Sequence, residues 1–230
     1  MFQRKLSLVL LILICMASSA YADTITNVTV QGIGDLWLAG QTSGTLGGDS
    51  VPTNSPTLVT LSGSSSLTFT FSGATGTTGG YGATAGADGD FLFSPGAANS
   101  ISGLINEPAG GLIGVFLDNN VPSGAAPAAL TVNTSAASTS PLLRQSFFIG
   151  DGLTGTGSGA TQTFNIPVGA TRLFLAIADS PGSYFNNTGS IAITTTESGT
   201  RLSAVPEPNS LLLLATGLAG LLGRRVLRKR

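Results

Sequence analysis

Residues 172–196 read RLFLAIADSPGSYFNNTGSIAITTT. From Leu173 to Ala178 every position is apolar, which predicts a central strand covered on both faces. Ile191-Ala-Ile-Thr-Thr195 alternates apolar and polar residues, the pattern of a half-buried strand. Between them, Asp179 to Ser190 gathers a carboxylate, two adjacent amides, Pro181 and Gly182 in a chain poor in charge. A turn capped by Asp, with Asn in left-handed geometry, accounts for some of these residues. An oxygen-ligated cation site would use nearly all of them.

The same strand-and-punctuation rhythm runs outward through the chain. Short apolar-rich segments recur at Thr26–Gly32, Thr57–Leu61, Ser66–Phe71, Leu112–Leu117, Ala129–Val132, Leu142–Ile149, Thr163–Val168, Arg172–Ala178 and Ser190–Thr196, each bounded by Gly, Ser, Asn or Pro. Leu67-Thr-Phe-Thr-Phe71 alternates cleanly, and helical periodicity is scarce between Asp23 and Thr200. The expectation is an all-β domain over 23–200, an antiparallel β-sandwich or jelly roll. Gly73–Gly89 and Gly150–Gly159, rich in Gly and Thr, are expected to be long, mobile loops. With no internal repeat, a β-solenoid is the lesser alternative.

Of 230 residues, 42% are hydrophobic and only 9% charged, with 32 glycines. That is too apolar for a disordered chain and favours turns and strands. The formal net charge of −1 hides segregation, because the basic residues cluster at the two ends. Between Asp23 and Ala204, three arginines stand against ten acidic residues. Such a surface does not suit nucleic acid, which requires a basic patch, but it does suit a hard divalent cation. There is no histidine, and the only cysteine is Cys15. A histidine base, a mature cysteine nucleophile and a zinc site are therefore poorly provided for. Asp88 and Asp90, in GADGD, could be a glycosidase pair but read better as turn residues, so a non-enzymatic protein is expected.

Met1–Ala22 has Arg4 and Lys5, an apolar run from Leu6 to Met16 and a small-x-small site at Ala20-Tyr-Ala22, the three parts of a secretory signal peptide. An N-terminal anchor or lipidation at Cys15 is the alternative. The mature chain would then begin near Asp23 and lack disulfides. At the other end, 201–208 forms a linker ending in Pro206-Glu207-Pro208, where a helix cannot continue. Residues 209–230 then form an apolar helix candidate, short of the roughly 20 residues of a comfortable span, and a basic tail with Arg224 and Arg225 that would stay cytoplasmic.

Pro206-Glu207-Pro208, the apolar helix and the Arg-rich end, in that order, resemble the PEP-CTERM sorting signal of Gram-negative bacteria. The resemblance implies an exosortase partner and export across the inner membrane with transient anchoring. Release or attachment at the cell surface would follow, in bacteria that make exopolysaccharide. A plain single-pass anchor is the alternative.

Residues 172–196 are similar to the calcium-dependent galactose-binding bacterial lectins of the LecA (PA-IL) type, which carry D-x-P-G-T-Y-x-N-N-S-G-S after a strand. The resemblance implies a galactose-binding-like jelly roll with Ca2+ held by Asp179, Asn186, Asn187 and the carbonyl of Ser183. A further carbonyl would fall near Thr77. A fainter likeness covers Pro108–Val115 and Gly86–Asp90. If sugar binds, two hydroxyls would complete the calcium shell, and Asp179 and Asn186 would hydrogen-bond them. The family's sugar-gripping His and Gln have no counterpart in Phe91–Ser100. Tyr184 reads as a packing residue. The expectation is thus an exported protein that binds calcium, with extracellular polysaccharide as a partner. The alternatives are a structural matrix protein without ligand and, third, a glycan-active enzyme.

Overall fold

The computed structural model describes residues 23–75, 86–155 and 157–199. The signal segment, Thr77 and the whole of the sorting tail, including Pro206, Glu207, Pro208, Arg224 and Arg225, lie outside them. The described chain is mostly strand, arranged in several sheets, with two single turns of 3-10 helix at Leu36–Leu38 and Tyr184–Asn186. Among the described residues no helix is long and apolar enough to cross a membrane.

Nine strands build the two larger sheets: β1 (Thr24–Gln31), β2 (Thr57–Thr60), β3 (Ser66–Thr75), β4 (Leu112–Leu117), β5 (Ser138–Thr139), β6 (Ser146–Phe148), β7 (Thr163–Asn165), β8 (Arg172–Ile177) and β9 (Ser190–Ser198). One sheet has the order β1-β9-β3-β7-β5 and the other β6-β4-β8-β2. Pairing is antiparallel except between β5 and β7, which run parallel. A second parallel pair joins Leu104–Ile105 to Leu130–Thr131 outside the two sheets. These two departures from an all-antiparallel arrangement involve ladders only two residues long. β9 alternates half-buried and buried positions along its whole length, and it slips register by one residue between Ala192 and Ile193. There Ala192 faces Gly73 and Ile193 faces Phe71, so Ser72 is the extra residue of a bulge.

The uniformly apolar runs have the explanation expected of them. In β8, Leu173, Leu175 and Ile177 enter one core cluster, while Phe174, Ala176 and Ala178 enter another. β4 divides in the same way, with Leu112 and Phe116 on one side and Ile113, Val115 and Leu117 on the other. The first cluster joins the two sheets: Val30, Leu67, Phe69, Phe164, Ile191 and Ile193 come from the five-stranded one, and Val59, Phe147 and the β4 and β8 residues from the four-stranded one. Its aromatic rings pack together, Phe116 stacked on Phe147 at 4.9 Å and Phe69 edge-on to Phe164 at 5.2 Å. The second cluster covers the opposite face of β4 and β8 with loop residues, among them Leu36, Trp37, Ile101 and Tyr184. The cation-loop candidate is therefore seated on the outer layer of the four-stranded sheet.

The described residues of Gly150–Gly159, a segment expected to be mobile, are tied down by hydrogen bonds. Asp88 accepts from Asp151 N–H at 3.0 Å and from Gly157 N–H at 2.9 Å, one bond to each carboxylate oxygen. Gly155 N–H donates to the Thr134 carbonyl at 2.8 Å. A carboxylate that accepts backbone N–H groups substitutes for a sheet ladder in a segment too Gly-rich to form one.

Candidate functional site

The loop from Asp179 to Gly189 leaves β8, makes the Tyr184–Asn186 turn and enters β9. Two carboxylates from a segment distant in sequence grip it. Asp35 caps the Leu36–Leu38 turn, its Oδ1 accepting from Trp37 N–H at 2.8 Å. Its Oδ2 accepts from Gly182 N–H at 2.8 Å. Asp49 Oδ2 accepts from Tyr184 N–H, also at 2.8 Å. The backbones then touch, with Gly48 N–H donating to the Gly182 carbonyl at 2.8 Å. Gly182 has φ +78°, and a Cβ there would lie 2.6 Å from the Leu46 carbonyl oxygen. Only glycine meets both conditions.

Tyr184 is fully buried, as its packing role predicts. Its hydroxyl accepts from Asp179 N–H at 3.2 Å and donates to the Asp179 carbonyl at 3.3 Å. Its ring lies 6.3 Å from that of Trp37. The neighbouring Phe185 is 60% exposed and packs over the backbone of Gly48.

The predicted ligands divide between inside and outside. Asp179 and Asn187 are buried, Ser183 is half-buried and Asn186 is exposed. Asp179 Oδ1 accepts from Ser180 N–H at 2.7 Å. Asn187 Nδ2 donates to the Gly32 carbonyl at 3.2 Å, while its Oδ1 is buried with no hydrogen-bond partner. Neither Asn is left-handed, since Asn187 has φ −74° and the positive angles fall on Gly182 and Gly189. Among the described residues no three acidic, His or Cys side chains converge on a point that could hold a metal. The fit to calcium thus rests on Asp179 and on the unpartnered oxygen of Asn187.

Asp35, Asp49 and Glu107 surround this loop and are all buried, though none is among the predicted ligands. Burial, the main effect, together with the Asp49 carboxyl beside it, pushes Asp35 up from 3.8 to about 7, against hydrogen bonds from Gly182 and Trp37 that lower it. Asp49 is also raised by burial. Glu107 is pushed well above its ordinary value by burial and then by the charge of Asp179. Burial raises the Tyr184 phenol too, helped by Asp35, Glu107 and Asp179. A sequence signal exists: each of the three acids stands alone in an apolar or Gly-rich run, GIGDLWL, TLGGDSV and LINEPAGG. Isolated charges in such runs are candidates for burial.

The other acidic pair from the sequence, Asp88 and Asp90, lies in a loop held by backbone hydrogen bonds. Both oxygens of Asp88 hold backbone N–H groups, and Asp90 N–H donates to the Ala109 carbonyl.

Residues 204–229 match the PEP-CTERM protein-sorting motif. That motif implies an exported, surface-associated protein that is anchored transiently by its C-terminal tail and processed by an exosortase. No curated protein and no solved structure matches the chain.

Proposed function

We propose that the exported body, folded as a galactose-binding-like β-sandwich, is a non-enzymatic module that binds one Ca2+ at the Asp179–Asn187 loop and presents it to carbohydrate hydroxyls. Asp179, Asn187 and the Ser183 carbonyl face the ion. Asn186, exposed beside them, is placed to meet a sugar, and Phe185 offers an apolar ring next to it. The observation that carries the reading is the buried, unpartnered Oδ1 of Asn187 in the same loop as the buried Asp179. A neutral amide oxygen without a donor costs about 1–3 kcal/mol, and a hard cation is a suitable partner for it. Thermal melting of the exported protein with Ca2+ and then with chelator tests this. The midpoint is expected to drop on chelation, and an unchanged midpoint removes the metal site.

The second reading is a structural surface or matrix protein without a ligand. It is favoured by the bracing that Asp35 and Asp49 already give the loop through Gly182 and Tyr184. Glycan arrays probed with and without Ca2+ separate the two, since silence in both conditions supports the structural protein.

A further inference from the structure

We propose that Glu107 is an additional carboxylate ligand of the cation held at Asp179, so that the site carries two negative charges; this rests on the calcium reading above. Glu107 follows Asn106 at a positive φ of 57° and pairs with Phe93 in a two-residue ladder. The turn after it is tied to the chain just before Asp179. Gly110 N–H donates to the Ala178 carbonyl at 2.8 Å, and Ala178 N–H donates to the Gly111 carbonyl at 2.7 Å. These two bonds bring a residue 72 positions away beside Asp179, whose charge acts on it.

Glu107 is 0% exposed, and neither of its oxygens has a hydrogen-bond partner. Ionised, it is a buried charge without a donor, which is costly. No described basic group relieves it. Arg144 is spent on the carbonyls of Ser100, Ser123 and Ala125, and Arg172 on those of Asp118 and Asn120. The wider pattern points the same way. Among the described residues, the buried side-chain oxygens without a backbone or amide donor are both Glu107 oxygens, Asn187 Oδ1 and Asp49 Oδ1, the last on a carboxyl that hydrogen-bonds Asp35. All are acceptor oxygens, and each belongs to the 179–189 loop or to a residue that holds or electrostatically senses it. A shortage confined to donors, in oxygens alone, matches the ligand chemistry of a divalent cation such as Ca2+.

The test titrates CaCl2, and separately TbCl3, into the exported wild-type protein and its Asp179→Asn and Glu107→Gln variants. Calcium binding is read by calorimetry, and terbium emission is read through excitation of the buried Trp37 and Tyr184. Asp179→Asn is expected to abolish binding. Glu107→Gln, nearly isosteric, is expected to weaken calcium at least tenfold while leaving the metal-free melting midpoint unchanged or higher. Wild-type affinity in Glu107→Gln, with binding lost in Asp179→Asn, overturns the role of Glu107 and leaves the calcium reading standing. No binding by the wild type overturns both. Should Glu107→Gln fail to fold, infrared difference spectra of the wild type decide: two buried carboxyl groups responding to Ca2+ support the proposal, and one overturns it.

Discussion

Both faces of the four-stranded sheet carry an apolar cluster, but they differ in what lies beyond it. On one face, Leu173, Leu175, Ile177 and Phe116 meet the five-stranded sheet in a core built of aliphatic and aromatic groups. On the other, beyond Trp37 and Tyr184, the carboxyl groups of Asp35, Asp49 and Glu107 lie against a loop that carries a fourth, Asp179. The first face stabilises the fold by removing apolar area from water. The second must hold ionisable groups whose buried charges oppose folding unless hydrogen, a backbone N–H or a cation neutralises them. One strand register thus supplies both an apolar core face and a face that packs beneath buried carboxyl groups.

That contrast can be broken at several points. The largest loss should come from the apolar face: Phe116→Ala removes a ring stacked on Phe147 and should cost about 3–5 kcal/mol in denaturant unfolding. Next, pH should act mainly on the acidic face. The Asp35 carboxyl titrates near 7 when folded, against 3.8 as its ordinary value. Between those values the folded state holds a proton that the unfolded state has released. The stability this group contributes is therefore full below about 4 and falls as pH rises towards 7, by up to about 1.4 kcal/mol per unit. Melting in chelator from pH 4 to 8 measures the slope, and Asp35→Asn should flatten it.

Gly182→Ala should come third. The left-handed backbone and the Leu46 carbonyl in the way should cost roughly 1–3 kcal/mol and detach the loop from Gly48, measurable as faster amide exchange at Gly48. At the small end, Val168→Thr alters a side chain that is 91% exposed. It should shift unfolding by less than about 0.5 kcal/mol; a larger shift would show that the distinction between buried faces and surface has been drawn wrongly.

Much of the strand content was legible because it depends on local pattern. Leu112–Leu117 matches its expected span, and the other eight expected segments each overlap a strand, with ends differing by a few residues. The two-residue ladders, such as Ser138–Thr139 and Leu92–Phe93, were not legible. Their pairing comes from packing of the surrounding loops, and two residues are too few to show a period. Gly150–Gly159 misled for a related reason: among its described residues, Asp151 and Gly157 are held by Asp88, more than sixty positions earlier, and Gly155 by Thr134.

The candidate site was legible only along its own loop. Asp179, Tyr184 and Asn187 could be singled out from one contiguous segment, because turn residues and oxygen ligands leave a local signature. By itself the sequence determined a β-rich, acidic body and a tail matching a sorting motif, since alternation, composition and motif order are properties of neighbours along the chain. Only the tertiary structure decided that Asp35, Asp49 and Glu107 close around that loop, that Asn187 turns inward and that Asn186 stays exposed. The reason is physical: burial and charge proximity depend on distances in space, and contacts spanning 72 to 147 positions leave no period in the sequence to read.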